Sequence, residues 1–363
     1  EKEEPEENTA DEAQPAEAIP GASNAVVWAL DARAKSSQRA VDSILTLERA
    51  TEVAQKEDMK EEKVGFTYVM LLVDKAHLSC SQLARQGSNL PCSHFQIKPS
   101  DPTYCEMPKI PKRSLQENHI YLMSLPAKHW GPVYARTLNR FASEVNRGLK
   151  NSAKGKRDDL VFSHANHIRF IIDYVFLQFK IEQALWLDLD TCVMSKKSVY
   201  PLFQISGKRV AVAAYRTDSY GKVVKVSKGE NMRQSESFVK ALNFRTSFNA
   251  GVGLYRVKEL CKYRLLEKMI KIQYYHNTKK RLWKNGVNQP SFELAVSNSL
   301  TMVSYEWNCR LQQEVLPDVK RYGVAGKDSP IKKWADSCKI FHPAVHEMSM
   351  KEFNCSAFQS RNR

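Results

Sequence analysis

Short runs of apolar residues alternate along the chain with longer segments whose apolar residues recur at helical spacing. The first apolar run, residues 25–30, is followed by residues 34–50, in which Val41, Ile44 and Leu45 share one helical face. This pair predicts a buried strand that leads into a helix. The same patterns predict further strands at 67–73, 119–123, 184–187, 210–214, 247–255 and 339–341, and helices at 132–149, 164–179, 257–275 and 290–296.

The alternation of strands with helices indicates the fold class. Strands that are connected through helices form mainly parallel sheets, which helices cover on both faces. Ligands bind such sheets at the carboxyl ends of the strands. We therefore predict an α/β fold with a mainly parallel central sheet flanked by helices. The most apolar stretch, residues 170–179, contains Asp173 and Gln178, so the sequence shows no run of about 18 apolar residues of the kind that spans a membrane.

Composition separates a stem from a globular domain. The chain has 363 residues and is 42% hydrophobic, which is enough to bury a sizeable core. Residues 1–23 contain eight acidic residues, one Lys and three Pro and have almost nothing to bury, which predicts a disordered acidic stem or linker. We place the globular domain at 24–345 and a short C-terminal tail at 346–363. A membrane anchor in a missing N-terminal segment would fit such a stem.

The positive charge is concentrated in the predicted domain. The chain has 55 Lys and Arg and 40 Asp and Glu, of which residues 24–363 hold 54 and 32, a net charge of +22. Such a surplus suits an anionic ligand such as a nucleotide phosphate, a nucleic acid or a membrane surface, although scattered solubilising lysines explain it equally well. The basic residues show no interleaved aromatic residues and no recognised module, so no nucleic-acid partner is expected.

The cysteines bear on the compartment. The chain has eight cysteines and no Cys-x-x-Cys pair, a pattern that argues against a zinc cluster. Cys80, Cys92 and Cys105 surround a proline-rich stretch, residues 86–113, that a disulfide would tether in an oxidising compartment. Asn354 begins a formal glycosylation pattern. These features favour the lumen of the Golgi or the endoplasmic reticulum, with the cytoplasm as the alternative.

The sharpest chemical signal is an apolar strand that ends in two carboxylates, Asp188 and Asp190, separated by Leu189. On an extended chain, residues two apart point to the same side, so both acids can face one cation. Hard oxygen ligands select Mg²⁺ or Mn²⁺. A cation held by only two carboxylates keeps positions open for phosphate oxygens, as a nucleotide diphosphate requires. A turn that merely favours Asp after a strand is the plainer interpretation.

Two enzyme classes place an aspartate pair at the end of a strand. Phosphatases of the haloacid dehalogenase type have Asp-x-Asp-x-Thr or Val near the start of the domain, whereas here the fifth position is Cys192 and the pair lies in mid-chain. Nucleotide-sugar glycosyltransferases place the pair after a nucleotide-binding half, as in this chain. The position of the pair favours the second class.

Several segments resemble the retaining glycosyltransferases of family 8, the family of glycogenin and bacterial lipopolysaccharide galactosyltransferases. Residues 247–255 resemble its Phe-Asn-Ala/Ser-Gly-Val segment, and residues 26–35 look like its first strand and nucleotide loop. Residues 288–292 resemble its Asp-Gln segment, and more closely the Asp-Gln-Pro-Ser/Ala-Phe version in related plant and algal transferases. Arg169 falls where the family has a basic residue that contacts the diphosphate, and residues 339–342 resemble its late strand with a metal-binding His.

The resemblance implies a set of site residues. The metal ligands would be Asp188, Asp190 and His342. The nucleotide would be bound by Asp31, Ala32, Arg33, Arg169, Asp188 and Leu189. The donor sugar would be contacted, and the reaction assisted, by Asn249, Asn288 and Gln289.

The resemblance also implies a fold and an activity. The fold would be of the GT-A nucleotide-sugar transferase type. The activity would be transfer of a sugar from a UDP-sugar donor to a hydroxyl of a glycan or protein acceptor, with Mn²⁺ or Mg²⁺ and with retention of the anomeric configuration. Asn288 replaces the usual Asp, and no Lys-Pro-Trp follows His342. A non-catalytic glycan- or nucleotide-binding protein of the same fold is therefore the alternative function.

Overall fold

The fold is taken from a computed structural model of the chain. It describes residues 24–30, 34–57, 66–73, 75–97, 115–125, 137, 139–145, 147, 167–177, 179–193, 199–207, 209–215, 248–279, 282–283, 289–311 and 337–343. The predicted stem (1–23) and tail (346–363) lie outside these residues.

A large sheet forms the centre of the described structure. Its strands are β1 (Asn24–Leu30), β2 (Thr67–Val73), β3 (Cys92–Gln96), β4 (Ile120–Leu125), β5 (Gln183–Leu187), β7 (Ala211–Tyr215), β8 (Phe248–Arg256) and β9 (Leu300–Val303). The strand order is β3-β4-β2-β1-β5-β8-β7-β9. A small second sheet has the order β10-β11-β6, formed by β6 (Cys192–Val193), β10 (Cys309–Leu311) and β11 (Ile340–Pro343).

The helices connect and cover these strands. They are α1 (Ala34–Glu57), α2 (Cys80–Arg85), α3 (Ile172–Phe176), α4 (Tyr200–Phe203), α5 (Val257–Tyr263), α6 (Leu265–Thr278) and α7 (Gln289–Val296), with 3-10 turns at Arg169–Ile171 and Tyr305–Asn308. Residues 139–145 are also helical, within the predicted helix 132–149.

The sheet is mainly parallel, as predicted, and β8 is the exception. β1 pairs in parallel with β2 and with β5, whereas β8 runs antiparallel to both of its neighbours, β5 and β7. The amino end of β8 therefore lies at the same edge as the carboxyl end of β5, where Leu187 is opposite Val252. The reversal brings the segment that begins at Phe248 to the edge where Asp188 follows β5.

Both faces of the sheet are buried, which explains why its central strands are continuous apolar runs rather than alternating ones. Successive residues of a strand point to opposite faces. Along β1, Val27 packs into one hydrophobic cluster with Trp186, and Trp28 packs into the other with Ile44 of α1. The predicted α/β architecture, with a mainly parallel sheet covered on both faces, is confirmed.

Three predicted elements differ from the structure. The predicted helix 257–275 is two helices, because Arg264 adopts a left-handed conformation with a φ of 53° between α5 and α6. The predicted helix 164–179 tightens into a 3-10 turn before α3 and ends at Phe176. Within the stretch 86–113, which has no helical or strand periodicity, Cys92–Gln96 forms the edge strand β3.

Disulfides tie the described segments together. Cys80 is bonded to Cys92, which links α2 to β3 and confirms a disulfide at the start of the proline-rich stretch. Cys309 is bonded to Cys338, which links the first residue of β10 to the segment that leads into β11. Cys192 and Cys261 are also disulfide-bonded.

None of the helices in the described ranges is both long and apolar enough to cross a membrane.

Candidate active site

The two aspartates converge through a turn that directly follows β5. The N–H and the Oγ1 of Thr191 both donate to the carbonyl oxygen of Asp188, at 3.0 and 2.7 Å. The N–H of Asp188 donates to the carbonyl of Gly251 in β8 at 2.8 Å, which anchors the start of the turn. The expected extended geometry of the pair is therefore wrong, since the chain turns at Leu189 and Asp190. The expectation that both acids face one site is met by the turn instead.

The small sheet brings His342 to the same place. β6 follows the turn directly, and β11 pairs with it in antiparallel register, with Phe341 opposite Cys192. His342 Nε2 consequently lies 3.1 Å from Asp190 Oδ1. One ligand atom from each of Asp188, Asp190 and His342 lies within 4.8 Å of the others. The three residues expected to hold a metal are thus grouped together, although His342 is 152 positions after Asp190 in the sequence.

A glycine makes room for this group. A Cβ on Gly251 would lie only 2.5 Å from His342 Nδ1 and 3.0 Å from Asp188 Oδ2. Side chains do not approach that closely, so a larger residue would displace the imidazole. Gly251 is needed because the ring of His342 packs directly against the backbone of β8.

Arg169 lies beside Asp188, on the face of the sheet that Trp186 occupies. Its Nη2 is 3.0 Å from Asp188 Oδ1, and its Nη1 donates to the carbonyl of Ala250 at 2.6 Å. The guanidinium carbon lies 4.9 Å from the centroid of the Trp186 ring, whose Nε1 donates to the same Asp188 oxygen at 2.8 Å. The side chain of Arg169 is only 8% exposed, so this arginine is buried beside the aspartates rather than on the surface of a helix.

Two asparagines contact the Nδ1 side of the His342 ring, away from Asp190. Asn308 Nδ2 donates to the carbonyl of Asn249 at 3.0 Å, which leaves Asn308 Oδ1 facing His342 Nδ1 at 3.3 Å. Asn249 Nδ2 lies 3.3 Å from the same ring nitrogen, and Asn249 Oδ1 accepts from the N–H of Gly251 at 3.0 Å. An Nδ1 proton that is donated to Asn308 leaves the Nε2 lone pair on the side of Asp190, where a cation would be bound.

Asn249 is therefore a buried residue of β8 rather than part of a turn. Both ends of its amide contact groups of the protein. Its predicted contact with a donor sugar stays a prediction.

Gln289 is held at the first position of α7. Its Nε2 donates to the carbonyl of Phe248 at 2.5 Å and to Glu293 Oε1 at 3.1 Å. Both partners are acceptors, so the orientation of the amide is fixed. The carbonyl oxygen of Gln289 is consequently the end that can still accept from or orient a substrate.

The electrostatics of the group favour ionised Asp190. Burial alone would raise the pKa of this carboxyl, but in the metal-free protein the positive charge and the hydrogen bond of a protonated His342 imidazole, with a contribution from the guanidinium of Arg39, lower it to about 2. Asp190 is a carboxylate at any ordinary pH.

These residues fit a small divalent cation. Two carboxylate oxygens and one imidazole nitrogen form a donor set that suits Mn²⁺ or Mg²⁺. Both aspartates are half-buried rather than sealed, so an anionic ligand can reach the same place. Leu189, between the aspartates, packs against the hydrophobic cluster that includes Val193.

Asp31, Ala32, Arg33 and Asn288, four of the predicted site residues, lie outside the described residues. Their assignments stay predictions.

Sequence reasoning missed three residues of the site: Gly251, Trp186 and Asn308. The first two lie within segments already singled out, and a glycine inside an apolar strand is a signal of close packing. Asn308 has no sequence signal, because it reaches His342 only through the pairing of β10 with β11.

A sequence model described as Glycosyl transferase family 8 matches residues 114–342, which is more than half of the chain. The chain belongs to glycosyl transferase family 8. The matched range contains Asp188, Asp190 and His342 together with Arg169 and Gln289. The classification as a glycosyltransferase, and the resemblance stated above, are confirmed. Comparison with curated protein sequences found no match.

Several solved glycosyltransferase structures resemble this family 8 chain. The bifunctional glycosyltransferase WbbM is 13% identical with a TM-score of 0.49, and the alignment covers 92% of this chain and 48% of that one. The galactosyltransferase LgtC, in complex with donor and acceptor sugar analogs, is 13% identical with a TM-score of 0.47, covering 93% and 94%. Mouse xyloside xylosyltransferase 1 is 12% identical with a TM-score of 0.47, covering 90% and 99%. The chain thus spans about half the length of WbbM.

Proposed function

We propose that this family 8 chain transfers a sugar from a UDP-sugar to a hydroxyl of a glycan or protein, with a divalent cation and with retention of the anomeric configuration. The observation that carries the proposal is the convergence of Asp188, Asp190 and His342 beside Arg169 at the edge of the sheet. The position agrees with the rule that α/β sheets bind ligands at the carboxyl ends of their strands.

Each member of the group has a role in holding the donor. Asp188, Asp190 and His342 would hold Mn²⁺ or Mg²⁺, which would neutralise the diphosphate and stabilise its charge as it departs. Arg169 keeps a positive charge next to Asp188, because its guanidinium is fixed by that carboxylate, by the carbonyl of Ala250 and by the ring of Trp186. The rigid environment supports charge stabilisation without rearrangement during the reaction.

The amide of Gln289 supports the proposal of retention. An inverting enzyme needs a base opposite the leaving group, and an amide cannot act as a base near neutral pH. The carboxylate of Glu293, to which Gln289 donates, is only 2% exposed and so is out of reach of an acceptor. A departing phosphate that accepts the acceptor's proton on the same face requires no protein base. The carbonyl dipole of Gln289 would then stabilise positive charge on the sugar.

The disulfides support a location in the lumen of the Golgi or the endoplasmic reticulum. Cys80–Cys92 and Cys309–Cys338 are disulfides, and such bonds persist in oxidising compartments. The proposal therefore includes a lumenal location.

The test is release of UDP from a panel of UDP-sugars, with Mn²⁺ and with a chelator. We expect release that depends on the cation and that Asp190→Asn removes, because one carboxylate ligand is lost. Glu259→Gln, a change in α5 beyond the end of β8 that is far from the group, is the matched control and should release UDP at the wild-type rate. His342→Ala should require more Mn²⁺ for half-maximal release.

Background release with every donor would contradict the catalytic proposal and favour the non-catalytic alternative. In that case, a rise in melting temperature with UDP and Mn²⁺ would identify a protein that binds the nucleotide without turnover.

A further inference from the structure

Arg39 lies next to the turn that carries Asp188 and Asp190, which we call the acidic turn. It is on the opposite face of the sheet from Arg169. It is in the second turn of α1, one helical turn before Ser43 and therefore on the same side of the helix. Ser43 Oγ donates to the carbonyl of Thr191 at 3.1 Å, and Thr191 directly follows Asp190. The contact of Ser43 places this side of α1, and Arg39 with it, along the turn.

The topology agrees with this position. α1 begins a few residues after β1 ends, and β1 is parallel to its neighbour β5. The first turns of α1 therefore lie at the edge of the sheet where β5 ends. α1 packs on one face through Ile44, whereas the segment that carries Arg169 packs on the other through Phe170. The aspartates are thus flanked by one arginine from each face.

The two arginines differ in what they bind. Two nitrogens of Arg169 are already used by Asp188 and by Ala250. Arg39 is half-buried, and its Nε is buried with no hydrogen-bond partner among the described residues. Its charge is felt by Asp190, yet no ion pair with an acid in the described part of the chain uses it. A buried guanidinium nitrogen without a hydrogen-bond partner destabilises the protein unless a ligand supplies the missing acceptor.

We propose, on the basis of the function proposed above, that Arg39 binds the diphosphate of the nucleotide donor. A guanidinium offers several donors in a planar fork, which matches the oxygens of a phosphate. Arg39 is suited to this ligand because it is beside the group that would hold the cation and its hydrogen bonds are not taken by described residues. The donor would then be held between charges contributed from both faces of the sheet.

The experiment measures the Kd of UDP and of uridine, both with Mn²⁺, for wild type, Arg39→Gln, Arg39→Lys and Arg49→Gln. Arg49→Gln is the matched control, since Arg49 is exposed on the same helix, roughly 15 Å further along it. We expect Arg39→Gln to raise the Kd of UDP about tenfold to a hundredfold, as for loss of a charged hydrogen bond, and to leave that of uridine unchanged. Arg39→Lys should show a smaller rise, and Arg49→Gln none.

Binding of Mn²⁺ alone separates this role from support of the acidic turn. Removal of a positive charge near Asp190 should leave the Kd of Mn²⁺ unchanged or lower it, while the Kd of UDP rises. If Arg39 only positioned the turn, Arg39→Gln would weaken Mn²⁺ and UDP together and lower the melting temperature, which would overturn the proposal.

The outcomes also separate this inference from the proposed function. Equal UDP affinity in wild type and Arg39→Gln would overturn the role of Arg39 alone. Failure of wild type to bind UDP in the presence of Mn²⁺ would overturn the proposed function and this inference with it.

Discussion

The imidazole of His342 lies where a side chain on Gly251 would be, so that an added Cβ would lie 2.5 Å from its Nδ1. The two residues are 91 positions apart in the chain and belong to different sheets. Their contact fixes the distance between β8, which pairs with the strand that precedes the aspartates, and β11, which carries the imidazole. It explains why the three ligand atoms can meet.

Gly251→Ala should displace His342 and weaken the binding of Mn²⁺. Overpacking of this kind costs about 1–3 kcal/mol, so a lower melting temperature should accompany the weaker binding. Isothermal titration with Mn²⁺ and thermal unfolding measure the two effects. Gly253→Ala is the matched control in the same strand, because its Cβ would meet the ring of Tyr255 at a milder 3.3 Å. Wild-type Mn²⁺ affinity in Gly251→Ala would show that His342 is not a ligand.

Asn308→Ala should weaken Mn²⁺ binding although it changes none of the three residues expected to bind the metal. The change removes the acceptor for His342 Nδ1 and the donor to the carbonyl of Asn249. Loss of such a supporting contact typically costs about 10- to 100-fold in metal affinity, and leaving the buried carbonyl unpaired costs about 1–3 kcal/mol. Ser304→Ala, which removes the cap of the same 3-10 turn, is the control. Equal losses of stability in both variants, with Mn²⁺ affinity unchanged, would contradict the positioning role of Asn308.

The sequence predicts the central strands and the aspartate pair better than the rest of the fold. β1, β2 and β5 are buried on both faces and so appear as continuous apolar runs, which a reader of the sequence recognises. β6 and β10 have two and three residues, too few for any periodicity. The helix break at Arg264 also has no signal in the sequence, because Gly and Asn are the residues that usually mark a left-handed position and this one is an arginine.

The residues of the site likewise divide into those that the sequence predicts and those that only the structure shows. Asp188 and Asp190 are close in sequence, and the family resemblance supplied His342. The contacts that orient these ligands come from Asn308 and Gly251, and each depends on strand pairing over long sequence separations. Arg39 is a further example, since its position beside the turn follows from tertiary contacts such as that of Ser43 with Thr191. Local pattern carries no information on such tertiary contacts.

Acid should destabilise the metal-free protein partly through Asp190. Its pKa is lowered in the folded state from the ordinary 3.8 to about 2, where burial is outweighed by His342. The carboxylate therefore contributes stability that is fully present above about pH 4 and is lost as the pH falls through 2. Urea unfolding in chelator between pH 5 and about pH 2 measures this loss, which should be smaller in Asp190→Asn. Identical pH profiles for the two proteins would contradict the pairing of Asp190 with His342.

Gln289→Ala should lower kcat more than it raises KM. A carbonyl dipole directed at developing positive charge acts mainly in the transition state, so turnover should fall about tenfold or more while donor binding changes little. Steady-state kinetics with the best UDP-sugar measures the split. Gln183→Ala is the matched control, since Gln183 also donates to a backbone carbonyl but lies at the other end of β5. An increase in KM with kcat unchanged would assign Gln289 to ground-state binding.

The most direct test of the proposed function is the anomeric configuration of the sugar at the moment it leaves the donor. A UDP-α-sugar is incubated with the enzyme and Mn²⁺, and the new anomeric proton of the transferred or freshly hydrolysed sugar is followed by NMR before mutarotation. With Gln289 as an amide and Glu293 buried, no described carboxylate beside the amide is placed to act as an inverting base, so the first product should be α-linked or the α-anomer. A β-configured first product would contradict retention and the mechanism derived from this site.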